Sequence, residues 1–177
     1  MGHLATTIWI ICYFAVLLGL AGYGIHRYTM IFLYWRNRRK KPEPLSEFKD
    51  LPSVTVQLPI FNELHVVERL ISAVSNLDYP KDRLQIQILD DSIDETKEIC
   101  EAEYAKLIES GFDVELIHRD DRLGYKAGAL ENGMESAKGE YIYILDADFV
   151  PEPDVLHQMI HFFTDEKVGM IQTRWGH

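Results

Sequence analysis

Residues 4–25 contain no Asp, Glu, Lys or Arg, whereas beyond residue 52 the apolar positions fall into short runs separated by polar turns. As a helix the first run would extend about 33 Å, enough to cross the hydrocarbon region of a bilayer. It is longer than the apolar core of a signal peptide and has no basic stretch before it, which favours an uncleaved anchor over a cleaved leader. A second apolar stretch, residues 28–35, follows the polar break at His26 and Arg27. Residues 1–35 are therefore expected to form a single membrane span and a membrane-proximal segment, with the end of the span shifted or leading into a helix at the interface.

After residue 52 the periodicity alternates between that of strands and that of helices. Strands are expected at 54–58, 84–89, 113–117, 141–145 and 168–173, and helices at 63–76, 94–110, 126–137 and 154–163. In the first helix Val66, Val67, Leu70, Ile71 and Val74 share one face. Such alternation implies an α/β fold with a parallel, Rossmann-like sheet covered on both sides. Pro42, Pro44 and Pro52 punctuate the approach, so residues 36–52 read as a basic stripe and linker and residues 53–177 as the folded domain.

Charge refines this picture. The stripe Arg36-Asn37-Arg38-Arg39-Lys40-Lys41 has no basic counterpart before the span, which places the folded domain on the cytoplasmic side of the membrane. The net charge of −10 and the absence of an extended cationic surface exclude a general nucleic-acid binder. Cys12 and Cys100 have no metal-ligand spacing and read as reduced, structural thiols.

In open parallel sheets ligands sit at the carboxyl ends of the strands, so the residues that follow each strand are the candidates for chemistry. Here they are Pro59-Ile60-Phe61-Asn62-Glu63, Asp90-Asp91-Ser92, His118-Arg119-Asp120 and Asp146-Ala147-Asp148. The carboxylates of Asp146 and Asp148 would leave an extended backbone on the same side, an arrangement suited to Mg2+ or Mn2+ that takes its other ligands from a diphosphate. Asp90 and Asp91 can accept hydrogen bonds from a base or ribose, while Asp91, Ser92 or Asp94 can equally cap the next helix. Residues 119–128 bring cations and glycines to a helix start, where a phosphate or a salt-bridged loop would be at home. Neither a P-loop nor a dinucleotide-binding glycine motif is present. His157 and His161 stand four apart without a third ligand and read as helix-surface residues.

Taken together, residues 53–177 resemble family 2 glycosyltransferases, most closely the cellulose synthase-like glucomannan and glucan synthases. The resemblance is carried by Val56-Gln57-Leu58-Pro59-Ile60-Phe61-Asn62-Glu63, Leu89-Asp90-Asp91-Ser92-Ile93-Asp94, Arg122-Leu123-Gly124-Tyr125-Lys126-Ala127-Gly128-Ala129-Leu130 and Asp146-Ala147-Asp148-Phe149-Val150-Pro151-Glu152-Pro153. It implies a GT-A fold and inverting transfer of a hexose from GDP-mannose or UDP-glucose to a β-glycan acceptor. It also implies that Pro59, Asn62, Glu63, Asp90, Asp91, Lys126 and Asp146 form the donor nucleotide site, with Asp146 and Asp148 at the metal. The family's later acidic base motif and Gln-x-x-Arg-Trp acceptor motif do not occur, so the resemblance implies the donor-binding half of such an enzyme, with no catalytic base to assign. Gln172-Thr173-Arg174-Trp175 matches the post-metal strand rather than the acceptor motif. The competing readings are a noncatalytic membrane-tethered nucleotide-sugar-binding module and a lipid-linked mannose transferase.

Overall fold

The computed structural model describes residues 2–39 and 42–173. The chain divides into two compact units, Met1–Glu43 and Pro44–His177. Helix α1, Gly2–Asn37, makes up most of the first and buries none of its residues within the protein. It is long and apolar enough to cross a membrane, and its 36 residues extend about 54 Å. The helix runs on through the polar pair His26 and Arg27, since both residues are compatible with a helix and neither removes a backbone donor. The hydroxyls of Thr6, Thr7 and Thr29 donate to the carbonyls of Gly2, His3 and Ile25, one turn back in the same helix.

The second unit is built on four parallel strands, β1 Val54–Ile60, β2 Leu84–Asp90, β3 Asp113–His118 and β4 Tyr141–Ile144, in the spatial order β3-β2-β1-β4. Helices α2 Val67–Ser75, α3 Thr96–Glu109, α4 Tyr125–Met134 and α5 Val155–Ile160 supply the connections and cover. Alternation along β1 and β2 sends Val54, Val56, Leu58, Leu84, Ile86 and Ile88 to one face. There they pack with Leu70, Ile71 and Val74 of α2, Cys100 and Leu107 of α3, and Leu156 and Ile160 of α5. This is the hydrophobic core.

The opposite face of the same strands is polar, yet buried. Thr55, Gln57, Gln85 and Gln87 are at most 4% exposed. Their side chains form a connected seam: Thr55 Oγ1 donates to Gln85 Oε1 at 2.7 Å and Gln57 Nε2 to Gln87 Oε1 at 3.0 Å. Gln87 Nε2 also faces Glu115 Oε2, the Gly133 carbonyl and Ser136 Oγ at 2.9–3.1 Å. The chain after α4 closes the seam, since Lys138 N donates to Gln85 Oε1 and Gly139 N to Thr55 Oγ1, both at 2.8 Å. A buried amide is tolerable only when its donors and acceptors are matched, and here α4 and its exit supply the matches. Gly133 makes the approach possible: a Cβ there would lie 2.7 Å from Gln57 Nε2 and 3.0 Å from Gln87 Oε1.

Several expectations change. Residues 168–173 form no regular secondary structure and pair with no described strand, Gly169 interrupting the run where a continuous ladder would be needed. Arg174 and Trp175 lie outside the described residues, as do Lys40 and Lys41 of the basic stripe. Helix α2 starts at Val67 rather than residue 63, because residues 63–66 form a turn in which Glu63 O accepts from Val66 N and Val67 N. His161 is not a free surface residue: its Nδ1 accepts from Phe48 N at 3.1 Å, and the His157 ring lies 5.6 Å from that of Tyr79.

The Gly133→Ala substitution is expected to cost about 1–3 kcal/mol, the usual scale of overpacking at a closed contact. Urea unfolding of the full chain in detergent, followed by far-UV circular dichroism, reads this as a lowered midpoint.

Candidate functional site

Parallel register brings the strand ends to one edge, since Ile60 of β1 lies beside Asp90 of β2, and Asp90 beside His118 of β3. Strand β4 stops earlier, its last pair joining Gln57 and Ile144. Pro59 sits on β1 beyond that pair, where its missing N–H deprives β4 of nothing.

Asp90 is 1% exposed, and its carboxylate is engaged inside the protein. Oδ1 accepts from Ser92 N at 3.0 Å, and Oδ2 lies 2.9 Å from His118 Nδ1. Asn62 ties the loop after β1 to the loop after β2: its N–H donates to Ser92 Oγ at 2.9 Å and its Oδ1 accepts from Ile93 N at 3.0 Å. It does so with φ of 55°, a left-handed conformation that asparagine adopts more readily than most residues. None of the expected residues is the N-cap of α3, which is Glu95 with no side-chain cap; Asp94, one residue earlier, accepts from Thr96 N at 3.0 Å.

Asp91, likewise buried, is held by Arg119 in a two-pronged pair, Nε to Oδ1 at 2.8 Å and Nη2 to Oδ2 at 2.5 Å. These hydrogen bonds to Asp91 raise the pKa of the guanidinium. Arg122 lies over the Phe61 ring, 3.2 Å from its centroid, joining the segment after β3 to the end of β1. Burial, reinforced by Asp90, pushes the Cys100 thiol up to about 12, so it is no nucleophile at neutral pH.

On the far side of the edge, Ala147 is buried while Asp146 and Asp148 on either side of it reach solvent. Asp146 Oδ1 is ion-paired with Lys126 Nζ at the start of α4, so the cation and the acidic pair meet although 20 residues separate them in sequence. Asp148 is exposed, and no described residue pairs with its carboxylate. Among the described residues no three acidic, histidine or cysteine side chains converge as a complete metal cage. Two carboxylates this near in sequence could hold a hard divalent cation that takes its other oxygens from a ligand such as a diphosphate.

The edge therefore holds two groups. Asn62 and Asp90 are interlocked through Ser92, beside the Asp91 that Arg119 holds, and Lys126 pairs with Asp146, two residues before the exposed Asp148. Glu63 opens the turn into α2 and Pro59 lies within β1. Ser92, His118 and Arg119 were among the strand-end candidates in the sequence but had no assigned role in the donor site, although adjacency of β2 and β3 would have paired Asp90 with His118.

A family model for glycosyl transferase family 2 matches residues 55–177. The chain belongs to that family. The glucomannan 4-beta-mannosyltransferase 2 of Arabidopsis thaliana is 39% identical over 159 residues, covering 83% of this chain and 30% of that protein. The glucomannan 4-beta-mannosyltransferase 1 of Oryza sativa subsp. japonica is 41% identical over 129 residues, covering 70% of this chain and 25% of that protein. This family 2 chain thus spans about a third or less of the curated relatives it matches. Among solved structures, the mannosyltransferase PcManGT from Pyrobaculum calidifontis, in complex with GDP-Man and Mn2+, superimposes with a TM-score of 0.71 at 29% identity, covering 85% of this chain and 44% of that one. The GT-A architecture expected of a family 2 glycosyltransferase is thereby found in the parallel sheet.

The two acidic pairs should separate cleanly by mutation. Asp90→Ala strands the Ser92 N–H and His118 and is expected to lower stability by about 2–3 kcal/mol, whereas Asp148→Ala removes an exposed, unpaired carboxylate and should leave the urea midpoint unchanged.

Proposed function

We propose that the protein transfers a hexose from a nucleotide sugar to a β-glycan acceptor with inversion, and that the described residues form its donor-binding part. The observation that carries this reading is the ion pair of Lys126 with Asp146 at the carboxyl edge of the sheet, two residues before the exposed Asp148. GDP-mannose is favoured over UDP-glucose as donor, because the compared plant relatives are mannosyltransferases and the archaeal mannosyltransferase holds GDP-Man.

In this reading Asp91, oriented by Arg119, and Asn62, fixed against Ser92 and Ile93, form the nucleoside side of the site. Asp90 acts from beneath, holding Ser92 and His118, while Pro59 and Glu63 shape the end of β1. Lys126 exchanges part of its pairing with Asp146 for the donor diphosphate, bringing a positive charge to the leaving group. Asp146 and Asp148 are the residues that would hold Mg2+ or Mn2+. When bound, that cation supplies stabilisation of the charge that develops on the departing diphosphate. Displacement with inversion also needs a base to take the proton of the acceptor hydroxyl, and no described residue is assigned that role. α1, with Arg36 in its last turn and Arg38 and Arg39 just beyond it, supports anchoring at a membrane with the sheet-bearing unit on the cytoplasmic side.

The test is GDP binding by the full chain in detergent, titrated with and without Mn2+. Asp148→Ala is expected to lower the Mn2+-dependent affinity by about tenfold or more without altering the unfolding midpoint, and GDP should compete better than UDP. Mn2+-dependent binding that survives the substitution undiminished would overturn the assignment of the acidic pair.

A further inference from the structure

Arg119 reaches further than Asp91. While Nε and Nη2 grip that carboxylate, Nη1 donates to Leu123 O and Nη2 to Tyr125 O, both at 3.1 Å. One planar group, 13% exposed, thereby joins the end of β2 to the segment that leads into α4. The residues it grips there are exposed, Leu123 at 79% and Tyr125 at 68%, and apart from this grip Tyr125 has the bond of its N–H to Arg122 O and the Arg122 guanidinium 5.3 Å from its ring. Tyr125 also has φ of 51°, following Gly124 at 74°. A non-glycine residue in that region is strained and persists where its surroundings hold it. Gly128 leaves room for the grip, since a Cβ there would lie 2.9 Å from Arg119 Nη1. The residue immediately after Tyr125 is Lys126.

We propose that Arg119 is a positioning residue that holds Lys126 in register with Asp91, coupling the nucleoside side of the donor site to its diphosphate side. It touches neither part of the donor. Its effect passes through the Tyr125 carbonyl and the strained turn to the Lys126 ammonium. The geometry demands arginine, because only a guanidinium can present several donors in one plane to a carboxylate and two carbonyls together, whereas a lysine ammonium can pair with Asp91 but cannot span all three. This inference rests on the donor-site reading above.

The experiment measures the Kd of GDP and of guanosine, by competition against a fluorescent GDP in the presence of Mn2+. The proteins are the full chain in detergent and its Arg119→Lys, Lys126→Ala and doubly substituted variants. Arg119→Lys is expected to weaken GDP by about tenfold or more while guanosine changes by less than about threefold, because the pairing with Asp91 is kept and the hold on Lys126 is lost. In the Lys126→Ala background, adding Arg119→Lys should cost less than about a further threefold in GDP affinity, since the group being positioned is already gone. Hydrogen exchange gives a reading independent of ligand: the amides of residues 125–128 should exchange about tenfold faster in Arg119→Lys, with those of β1 and β2 unchanged. Equal losses for GDP and guanosine, a full loss that persists without Lys126, or unaltered exchange would each overturn the assignment. A wild-type chain that binds neither GDP nor UDP would remove the donor-site reading and this assignment with it. If the wild type binds, the variants judge Arg119 alone.

Discussion

The buried amides of Gln57, Gln85 and Gln87 have to be satisfied, and that requirement organises the sheet-bearing unit. On their side of the sheet there is little apolar surface to hold a helix, and α4 contributes mainly Ala129 and Gly133 to buried contact. What fixes the helix is a set of directed bonds from sheet amides to Leu130 O, Gly133 O, Ser136 O and Ser136 Oγ. Burial by hydrophobic contact tolerates sliding, because dispersion and desolvation have little direction. A hydrogen-bonded seam does not, and a shift of one residue would leave several amides unpaired in a dry interior. The position of α4 along the sheet is thus specified, and Lys126 in its first turn is specified with it.

The carboxyl edge inherits this precision from two directions. From below, α4 sets the height of Lys126 relative to the end of β4, where Asp146 meets it. From the side, the parallel register of β1, β2 and β3 sets Ile60, Asp90 and His118 in a row, and the bonds of Asn62 and Asp90 to Ser92 tie the turns just beyond it. The buried carboxylates at this edge are engaged by neighbours, while Asp148 stands exposed and unpaired among the described residues. Burial rather than identity sets which of these neighbouring acids are tied into the fold and which stay open to solvent.

Much of this was legible in the sequence. The strand-helix alternation, the parallel sheet and the acidic strand ends follow from period and placement, because β1 and β2 are apolar on one face and terminate in polar residues. That both faces would be covered was legible too, but how the polar one is satisfied was not. Val54-Thr55-Val56-Gln57 alternates apolar and polar residues, and nothing local says that a glycine-bearing helix much later in the chain will match its buried amides. The grip of Arg119 on Asp91 was hidden for a related reason, since a cationic segment of residues 119–128 suggests an anion-binding loop until the sheet order shows a carboxylate already beside it. At residues 168–173 local apolar character suggested a strand, but a strand exists only through a partner, and Gly169 weakens the run besides. At His26 and Arg27 polar residues interrupt the apolar run but not the helix, because an α-helix is interrupted by the loss of backbone donors or by backbone strain, not by polar side chains.

The threonines of α1 have a bearing on how the helix comes to lie in a bilayer. Each hydroxyl closes onto a carbonyl of its own helix, so none of the three asks for a polar partner from another span. Arg27 has a stem long enough to carry its charge toward the headgroups. A segment furnished in this way can insert alone, and any lateral assembly with other spans would have to be selected by shape rather than forced by an unmet polar group.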